Sequence, residues 1–194
     1  MKAMPLRSTE TRYGAVAVTL HWISALLILA LLALGFQAED AEGVAKAEIL
    51  ALHVPLGLLV VALTLLRIVW WWLADHNPPT VPMPGWQELS AKAIHILFYI
   101  VILGMGASGI GMLLLSGAMP IIFGDSQGVL PNFHDFLPRT PHGLGAMALV
   151  VLFVLHAGAA LYHQFAKRDG LLNRVWFGKR NPNQRIHGTC RQDR

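Results

Sequence analysis

The chain has 194 residues, of which 55% are hydrophobic and only 13% are charged. A soluble domain carries about 25% charged residues, so this composition excludes an ordinary water-soluble domain and a disordered chain. The net charge of +4 in so apolar a chain favours membrane lipid over nucleic acid as partner, and the single cysteine, Cys190, excludes an intrachain disulfide.

Four apolar stretches follow one another along the chain. They are residues 15–36, 50–73, 93–116 and 142–166. Each exceeds the roughly 20 residues with which a helix crosses the hydrocarbon core. Backbone groups in lipid find partners only within their own helix, so each stretch is predicted to be a transmembrane helix. The predicted fold is therefore an all-α membrane protein, a four-transmembrane-helix bundle.

The distribution of Lys and Arg predicts the orientation of this bundle. Of the 15 basic residues, three lie in residues 1–14 and eight in residues 167–194. The positive-inside rule then puts both termini in the cytoplasm and the bundle in the bacterial inner membrane. We divide the chain into an N-terminal cytoplasmic segment, a transmembrane domain over 15–166 and a basic cytoplasmic tail. Within the tail, residues 170–180 are predicted to form an amphipathic segment on the inner leaflet.

Histidine supplies most of the polarity inside the spans. His142 and His156 are 14 residues apart on the fourth span, about 21 Å along the helix and about 40° around it. The topology puts His53 at the outer level of His142, and His21 in the inner half with His156. An imidazole from each of two facing helices at one depth is how a bundle holds a low-spin haem iron, which predicts two haem sites roughly 20 Å apart. Zinc would need three or four ligands at one level.

Three further polar residues lie near the predicted inner site. Arg67 follows His53 by 14 residues, which puts it at the inner level. Two interpretations are open for it, pairing with a haem propionate and snorkelling to the inner headgroups. His95 and His163 lie near the inner interface. They are candidates to hydrogen-bond a quinone, or are interfacial histidines that face headgroups.

At these residues the sequence resembles the bacterial cytochrome b561 family of di-haem membrane cytochromes. The resemblance runs from about Arg12 to Lys179 and rests on Arg12-Tyr13-Gly14, His21-Trp22, Leu52-His53, Gly57, Arg67, Ala93-Ile94-His95, Tyr99, Pro141-His142-Gly143, Leu155-His156 and Tyr162-His163. It implies two haem b groups, the inner one on His21 and His156 and the outer one on His53 and His142. It also implies oxidation of superoxide at the outer face and transfer of the electrons to ubiquinone at the inner face, where His95 and His163 match quinone-binding positions.

The sequence departs from the family pattern in two places. Gln164 stands where many members have a second histidine, and the outer loop over 117–141 is divergent. The outer donor is therefore open between superoxide and a periplasmic redox partner, as is the choice between an enzyme and a pure electron carrier, and no residue is assigned as catalytic. An alternative function is a haem-b membrane-anchor subunit that carries electrons for a partner dehydrogenase or hydrogenase. A haem-free transporter or structural bundle is a third.

Overall fold

The computed structural model describes residues 4–76, 83–124 and 128–177. Most of these residues lie in long helices. The α-helices are α1 (Ala15–Asp40), α2 (Gly43–Leu73), α3 (Gly85–Ser116), the short α4 (Met119–Phe123) and α5 (Arg139–Tyr162). A π-helical turn, His163–Lys167, continues α5, and 3₁₀ turns cover Phe133–Asp135 and Leu172–Val175. Within the described ranges there is no strand.

The four predicted apolar stretches lie within α1, α2, α3 and the combination of α5 with its π-helical turn, which confirms the all-α fold with four spans. Each of these four helical segments extends beyond its apolar stretch, and α3 begins at Gly85 rather than near residue 93. The extra residues of α3 include Gln, Glu, Lys and Ala, which are good helix formers, so the helix continues where the hydrocarbon ends. Residues 77–82 and the predicted tail from residue 178 onward lie outside the described residues.

The long helices pack as two neighbouring pairs, α1 with α2 and α3 with α5, and α2 joins the pairs through α3. Only two residues separate α1 from α2, so these helices run antiparallel. Few of the described apolar side chains are buried; Val18, Val60 and Leu149 are among them. Many leucines and isoleucines on the long helices are more than 40% exposed. In water such a surface would aggregate, whereas in a bilayer it is the face that contacts lipid.

The N- and C-terminal segments meet at one end of the bundle, which we call the termini end. The Tyr13 N–H donates to the Arg174 carbonyl (3.2 Å), and the Trp22 indole N–H of α1 donates to the Val175 carbonyl (2.8 Å). The Trp22 and Trp176 rings meet edge to face at 5.3 Å. The described part of the predicted amphipathic segment therefore lies across the start of α1.

A buried carboxylate fastens the N-terminal segment to the end of α2. Asp75 is 3% exposed and accepts the Ser8 N–H and Oγ–H, both at 2.8 Å, the His76 N–H at 3.0 Å and the Trp70 indole N–H at 3.2 Å. Burial by itself would raise the pKa of Asp75, but the hydrogen bonds from Ser8, His76 and Trp70 outweigh it and lower the pKa below its usual value. The ionised carboxylate thus holds the segment in place.

A different set of contacts closes the opposite end of the bundle. Glu39, near the end of α1, accepts a hydrogen bond from Arg139 Nη2 at 2.5 Å and lies 3.1 Å from Nε2 of His134. These contacts join α1 to the start of α5. The α4 helix, part of the predicted outer loop, packs against α2 and buries Ile122.

Candidate functional site

Four helical histidines lie in two pairs, one toward each end of the bundle. His21 of α1 faces His156 of α5 at the termini end, and His53 of α2 faces His142 of α5 at the opposite end. In both pairs the ring centres are 6.2 Å apart and the rings are inclined by 63°. A metal–nitrogen bond is about 2 Å long, so a metal ion between two imidazoles holds their ring centres roughly 6 Å apart. Each pair therefore has the spacing of two axial ligands.

The pair at the opposite end is framed by hydrogen bonds and glycines. Nδ1 of His142 lies 3.1 Å from Ser108 Oγ and 3.2 Å from the Met105 carbonyl, so Nε2 is the nitrogen that these contacts leave unused. Nδ1 of His53 is buried beside the Leu31 carbonyl without reaching hydrogen-bond geometry. This ring is therefore available to a ligand.

Two glycines bring helix backbones close to the rings of the opposite-end pair. A Cβ atom added at Gly35 of α1 would lie 3.4 Å from Cε1 of His53, and one at Gly109 of α3 would lie 3.4 Å from Cε1 of His142. A methyl group would just touch each ring, and any larger side chain would enter the space beside it. The two glycines thus shape a cradle around this pair.

The pair at the termini end is surrounded by rings instead. His95 of α3 contacts the His156 ring with a centre distance of 5.3 Å, Phe98 contacts it at 5.6 Å, and Trp22 contacts His21 at 5.4 Å. The His95 Nδ1–H donates to the Ala91 carbonyl of its own helix at 2.7 Å. His95 therefore packs directly on a member of the histidine pair.

Arg67 also lies at the termini end. Its guanidinium carbon is 4.8 Å from the centre of the Trp71 ring, and its charge acts on His21, His95 and His156. Nε of Arg67 is buried and has no hydrogen-bond partner. A cation held among the histidines with a buried, unused donor is suited to an anionic group, whereas a snorkelling side chain would place that donor in water.

His163 lies beyond the pair, in the π-helical turn after α5. It is 8% exposed, and its Nδ1 lies 2.5 Å from Oδ2 of Asp169. Beside it, a cavity of about 240 Å³ is lined by Gln164, Phe165, Arg168 and Gly170. Oε1 of Gln164 is buried without a hydrogen-bond partner. His95 and His163 thus have different surroundings, although the sequence predicted a similar role for them.

Comparison with known proteins decides the family. The profile described as "Prokaryotic cytochrome b561" matches residues 12–178, which is most of the chain. The chain belongs to the prokaryotic cytochrome b561 family. It is therefore a multi-pass membrane electron-transfer cytochrome of the bacterial inner membrane, with haem b as its cofactor.

Three relatives extend the match over nearly their whole lengths. "Cytochrome b561 homolog 2" of Escherichia coli K12 is 29% identical, covering 89% of this chain and 95% of that protein. "Cytochrome b562" of Cereibacter sphaeroides is 30% identical, over 86% of this chain and 96% of that protein. "Probable superoxide oxidase CybB" of Yersinia pestis is 25% identical, covering 87% and 98%. The alignments thus cover most of this chain and nearly the whole of each relative.

The residues at the two pairs fit haem b. The spacing of the rings suits axial ligation, the Gly35 and Gly109 cradle leaves room beside the imidazoles, and the buried Nε of Arg67 can donate to a propionate. Within the described ranges, no group of three or more His, Cys, Asp or Glu side chains is arranged to hold a metal ion. The donor set favours a macrocycle that brings its own four nitrogens over a metal ion held only by side chains.

The remaining histidines and the tryptophan run behave differently from one another. His76 is exposed, while His134 is exposed but contacts Glu39, and His187 lies outside the described residues. Residues 70–72 are three consecutive tryptophans near the end of α2. Only Trp72 faces outward, at 86% exposure, because Trp70 donates to Asp75 and Trp71 packs against Arg67 and Tyr99.

Sequence reasoning missed several residues that support the site. Ser108 and Gly35 contact the opposite-end histidines from helices that carry no ligand of that pair, and helix packing decides which residues face one another. Asp169 reaches His163 only because a π turn and a left-handed residue, Arg168 (φ 53°), reverse the chain. The periodicity of the apolar residues carries no signal for either arrangement.

Proposed function

We propose that the protein is a di-haem b-type cytochrome that transfers electrons across the inner membrane, from an outer one-electron donor to ubiquinone at the inner face. His53 and His142 hold the outer haem, and His21 and His156 hold the inner one. Both termini are cytoplasmic, so the termini end is the inner end. Residues 15–166 form the electron-transfer domain, flanked by cytoplasmic segments.

The observation that carries this proposal is the equal geometry of the two histidine pairs. Two independent pairs on three helices share a ring separation of 6.2 Å and an inclination of 63°. Histidines that merely fill space between helices have no reason to repeat one geometry at two depths. His142 and His156 lie about 21 Å apart along α5, which gives one site in each half of the membrane.

The protein's own side chains hold and tune the two groups. When bound, each haem supplies a one-electron couple at its iron. The Met105 carbonyl and Ser108 accept the Nδ1–H of His142, which fixes that imidazole with Nε2 toward the macrocycle. The buried Nε–H of Arg67 would be the donor to a propionate of the inner haem. The Trp71 ring holds the guanidinium in that position.

The inner end suits a quinone. His163 follows His156 by seven residues, about 10 Å along the helix, and the cavity is lined by its neighbours Gln164 and Phe165, while His95 packs on His156. An aromatic quinone head needs an apolar slot with a few hydrogen-bonding groups; the cavity offers Phe165 and the Gln164 amide, and the two histidines lie at the same end of the bundle. Superoxide is the outer donor we favour, because one relative, aligned with this chain over 98% of its own length, is named as a probable superoxide oxidase.

Haem content is the first test. The purified protein should contain two haem b per chain, and its reduced-minus-oxidised spectrum should show two b-type components. Haem at one per chain would contradict the di-haem arrangement, and absence of haem would contradict the cytochrome function altogether.

Electron transfer to quinone is the second test, and it separates an enzyme from a membrane-anchor subunit. Superoxide added to the oxidised protein with a soluble ubiquinone analogue should reduce the haems transiently and produce quinol, while superoxide dismutase should abolish the signal. Haem reduction that never reaches the quinone would favour the anchor subunit, which passes electrons to or from a partner dehydrogenase or hydrogenase.

A further inference from the structure

The turn after α5 holds a histidine and a carboxylate against each other. The π turn His163–Lys167 ends at Arg168, whose positive φ of 53° reverses the chain. Asp169 thereby comes back over His163, with its N–H 3.4 Å from the His163 carbonyl and its Oδ2 2.5 Å from Nδ1. The side chains are 11% and 22% exposed for His163 and Asp169. The contact is therefore short and largely shielded from solvent, and the chain reversal at Arg168 brings the two side chains together.

Both oxygens of the Asp169 carboxylate have partners. Oδ2 faces the imidazole, and Oδ1 accepts the N–H of Leu171 at 3.1 Å. A free aspartate is a much weaker base than a free imidazole, so the shared proton belongs to Nδ1 of His163, which donates it to the carboxylate. In the neutral ring Nε2 then carries no proton and can accept one. Among the residues that the structure describes, none forms a hydrogen bond with this Nε2.

We propose that Asp169 is a positioning residue that fixes His163 with its proton on Nδ1, so that Nε2 takes a proton from water and passes it to an oxygen of the quinone. This proposal rests on the proposed function, because it needs a quinone at the termini end. The carboxylate keeps the proton of Nδ1 in place throughout, so Nε2 is the nitrogen that exchanges protons with water and quinone.

The outer one-electron donor of the proposed function supplies all the electrons that quinone reduction needs. Two donor molecules lose one electron each, and the quinone gains both electrons together with two protons. Its two C=O double bonds become single C–O bonds as two O–H bonds form. One proton leaves Nε2 of His163, which regains a proton from water, and the other comes directly from water.

Asp169→Asn tests the positioning with little change of shape. The Leu171 N–H is a fixed donor, so the amide oxygen of Asn must face it and the NH₂ must face Nδ1 of His163. The ring then carries its proton on Nε2, and a second proton on Nδ1 would meet another donor. His163 can still donate a hydrogen bond to the quinone but can no longer cycle a proton.

We expect Asp169→Asn to retain both haems and to keep the quinone KM within about twofold, while kcat for quinone reduction falls at least about tenfold. Asp169→Glu, which keeps a carboxylate, should recover most of the turnover. Lys167→Gln is the matched control. It removes a 2.7 Å hydrogen bond between the same turn and Gln87 and leaves the contact between His163 and Asp169 intact. Its kcat should equal that of the unsubstituted protein.

The outcomes separate the two proposals. If the unsubstituted protein fails to reduce the quinone analogue, the proposed function falls and proton delivery by His163 falls with it. If that protein is active and Asp169→Asn has normal kcat, or a raised KM with normal kcat, only the positioning role is overturned.

A spectroscopic measurement covers the case in which Asp169→Asn does not fold. In dithionite-reduced protein with ¹⁵N-labelled histidine rings, the signal that disappears in His163→Gln reports the tautomer of His163. A proton on Nδ1 supports the proposal, and a neutral ring with its proton on Nε2 overturns it.

Discussion

The two ends of the bundle carry the same pair geometry in different surroundings. At the opposite end, His142 is hydrogen-bonded through Nδ1 and both rings lie against glycines. At the termini end, the rings of His95 and Phe98 pack on His156, and the charge of Arg67 acts on the pair. Equal ligation with unequal surroundings is how a protein gives two chemically identical cofactors different reduction potentials.

Both differences act in the same direction. A cation near a haem favours its reduced form, which carries one positive charge less, so Arg67 would raise the potential of a haem held at the termini end. Arg139 acts on His142 at the opposite end but is paired with Glu39. A hydrogen bond from Nδ1–H to an acceptor makes the imidazole a stronger electron donor, so it would lower the potential of a haem held at the opposite end. With a haem in each pair, as proposed, these two effects would favour electron transfer from the opposite end to the termini end.

Removing a ligand is the strongest way to break the equivalence of the two ends. His156→Ala should lose the termini-end haem and keep the other, and His142→Ala should do the reverse, because one imidazole holds a b-type haem poorly. The measurement is haem per chain together with the component that remains in the difference spectrum. His95→Ala is the matched control, since it removes a ring in contact with His156 that is not assigned as a ligand, and it should keep both haems. Two haems in His156→Ala would contradict the pairing.

The sequence predicted the four helices, the two pairs and the placement of Arg67 and His95 near the inner pair, but not the contacts between helices that support each pair. Span length and the 14-residue spacing on α5 are local properties, and they suffice to put His142 and His156 at two depths. Contacts between helices, such as Ser108 with His142, depend on the rotation of α3 about its axis, which the apolar sequence leaves open. The same holds for Asp75, whose partner Ser8 lies 67 residues away.

Anchoring of the two ends should also differ in strength. Asp75 is buried among four donors, whereas the carboxylate of Glu39 is 45% exposed. Asp75→Ala leaves buried donors without an acceptor and should lower the free energy of unfolding by about 2–3 kcal/mol. Glu39→Gln should cost less than about 1 kcal/mol, because an exposed ion pair contributes little. Unfolding in a mixed-micelle SDS titration, followed by circular dichroism, compares the two; equal losses would contradict the comparison.

The Asp75 contribution has a defined pH dependence. Because the folded pKa of Asp75 lies below that of the unfolded chain, its stabilisation is fully present above the unfolded value of about 4 and is lost as the pH falls through the folded value. The difference in unfolding free energy between the unsubstituted protein and Asp75→Asn should be constant near neutral pH and shrink below about pH 4. A difference that stays constant at lower pH would contradict the assignment.

Arg67 tests the electrostatic part of the comparison. Arg67→Gln removes a charge that acts across several ångströms of protein, an interaction of about 1–2 kcal/mol, which corresponds to a fall of roughly 40–90 mV for a one-electron couple. Redox titration should show this fall in the termini-end haem only. Arg139→Gln, which removes a cation at the opposite end that is already paired with Glu39, is the control and should leave the termini-end potential unchanged. A shift confined to the opposite-end haem would reverse the assignment of Arg67.

Ser108 should give the smallest and most local effect. Its hydroxyl donates to the Met105 carbonyl at 3.0 Å, so its oxygen accepts from Nδ1–H of His142. Ser108→Ala removes this acceptor, but the Met105 carbonyl remains 3.2 Å from Nδ1 and keeps the ring oriented. The imidazole becomes a slightly weaker donor, and the opposite-end potential should rise by about 20 mV, equivalent to roughly 0.5 kcal/mol. Ser116→Ala, on the same helix, is the control. Because Ser108→Ala raises one potential while Arg67→Gln lowers the other, the double variant should have a smaller difference between the two potentials than either single variant. A difference that survives would come from the remaining Met105 hydrogen bond, the glycine cradle or the rings around His156.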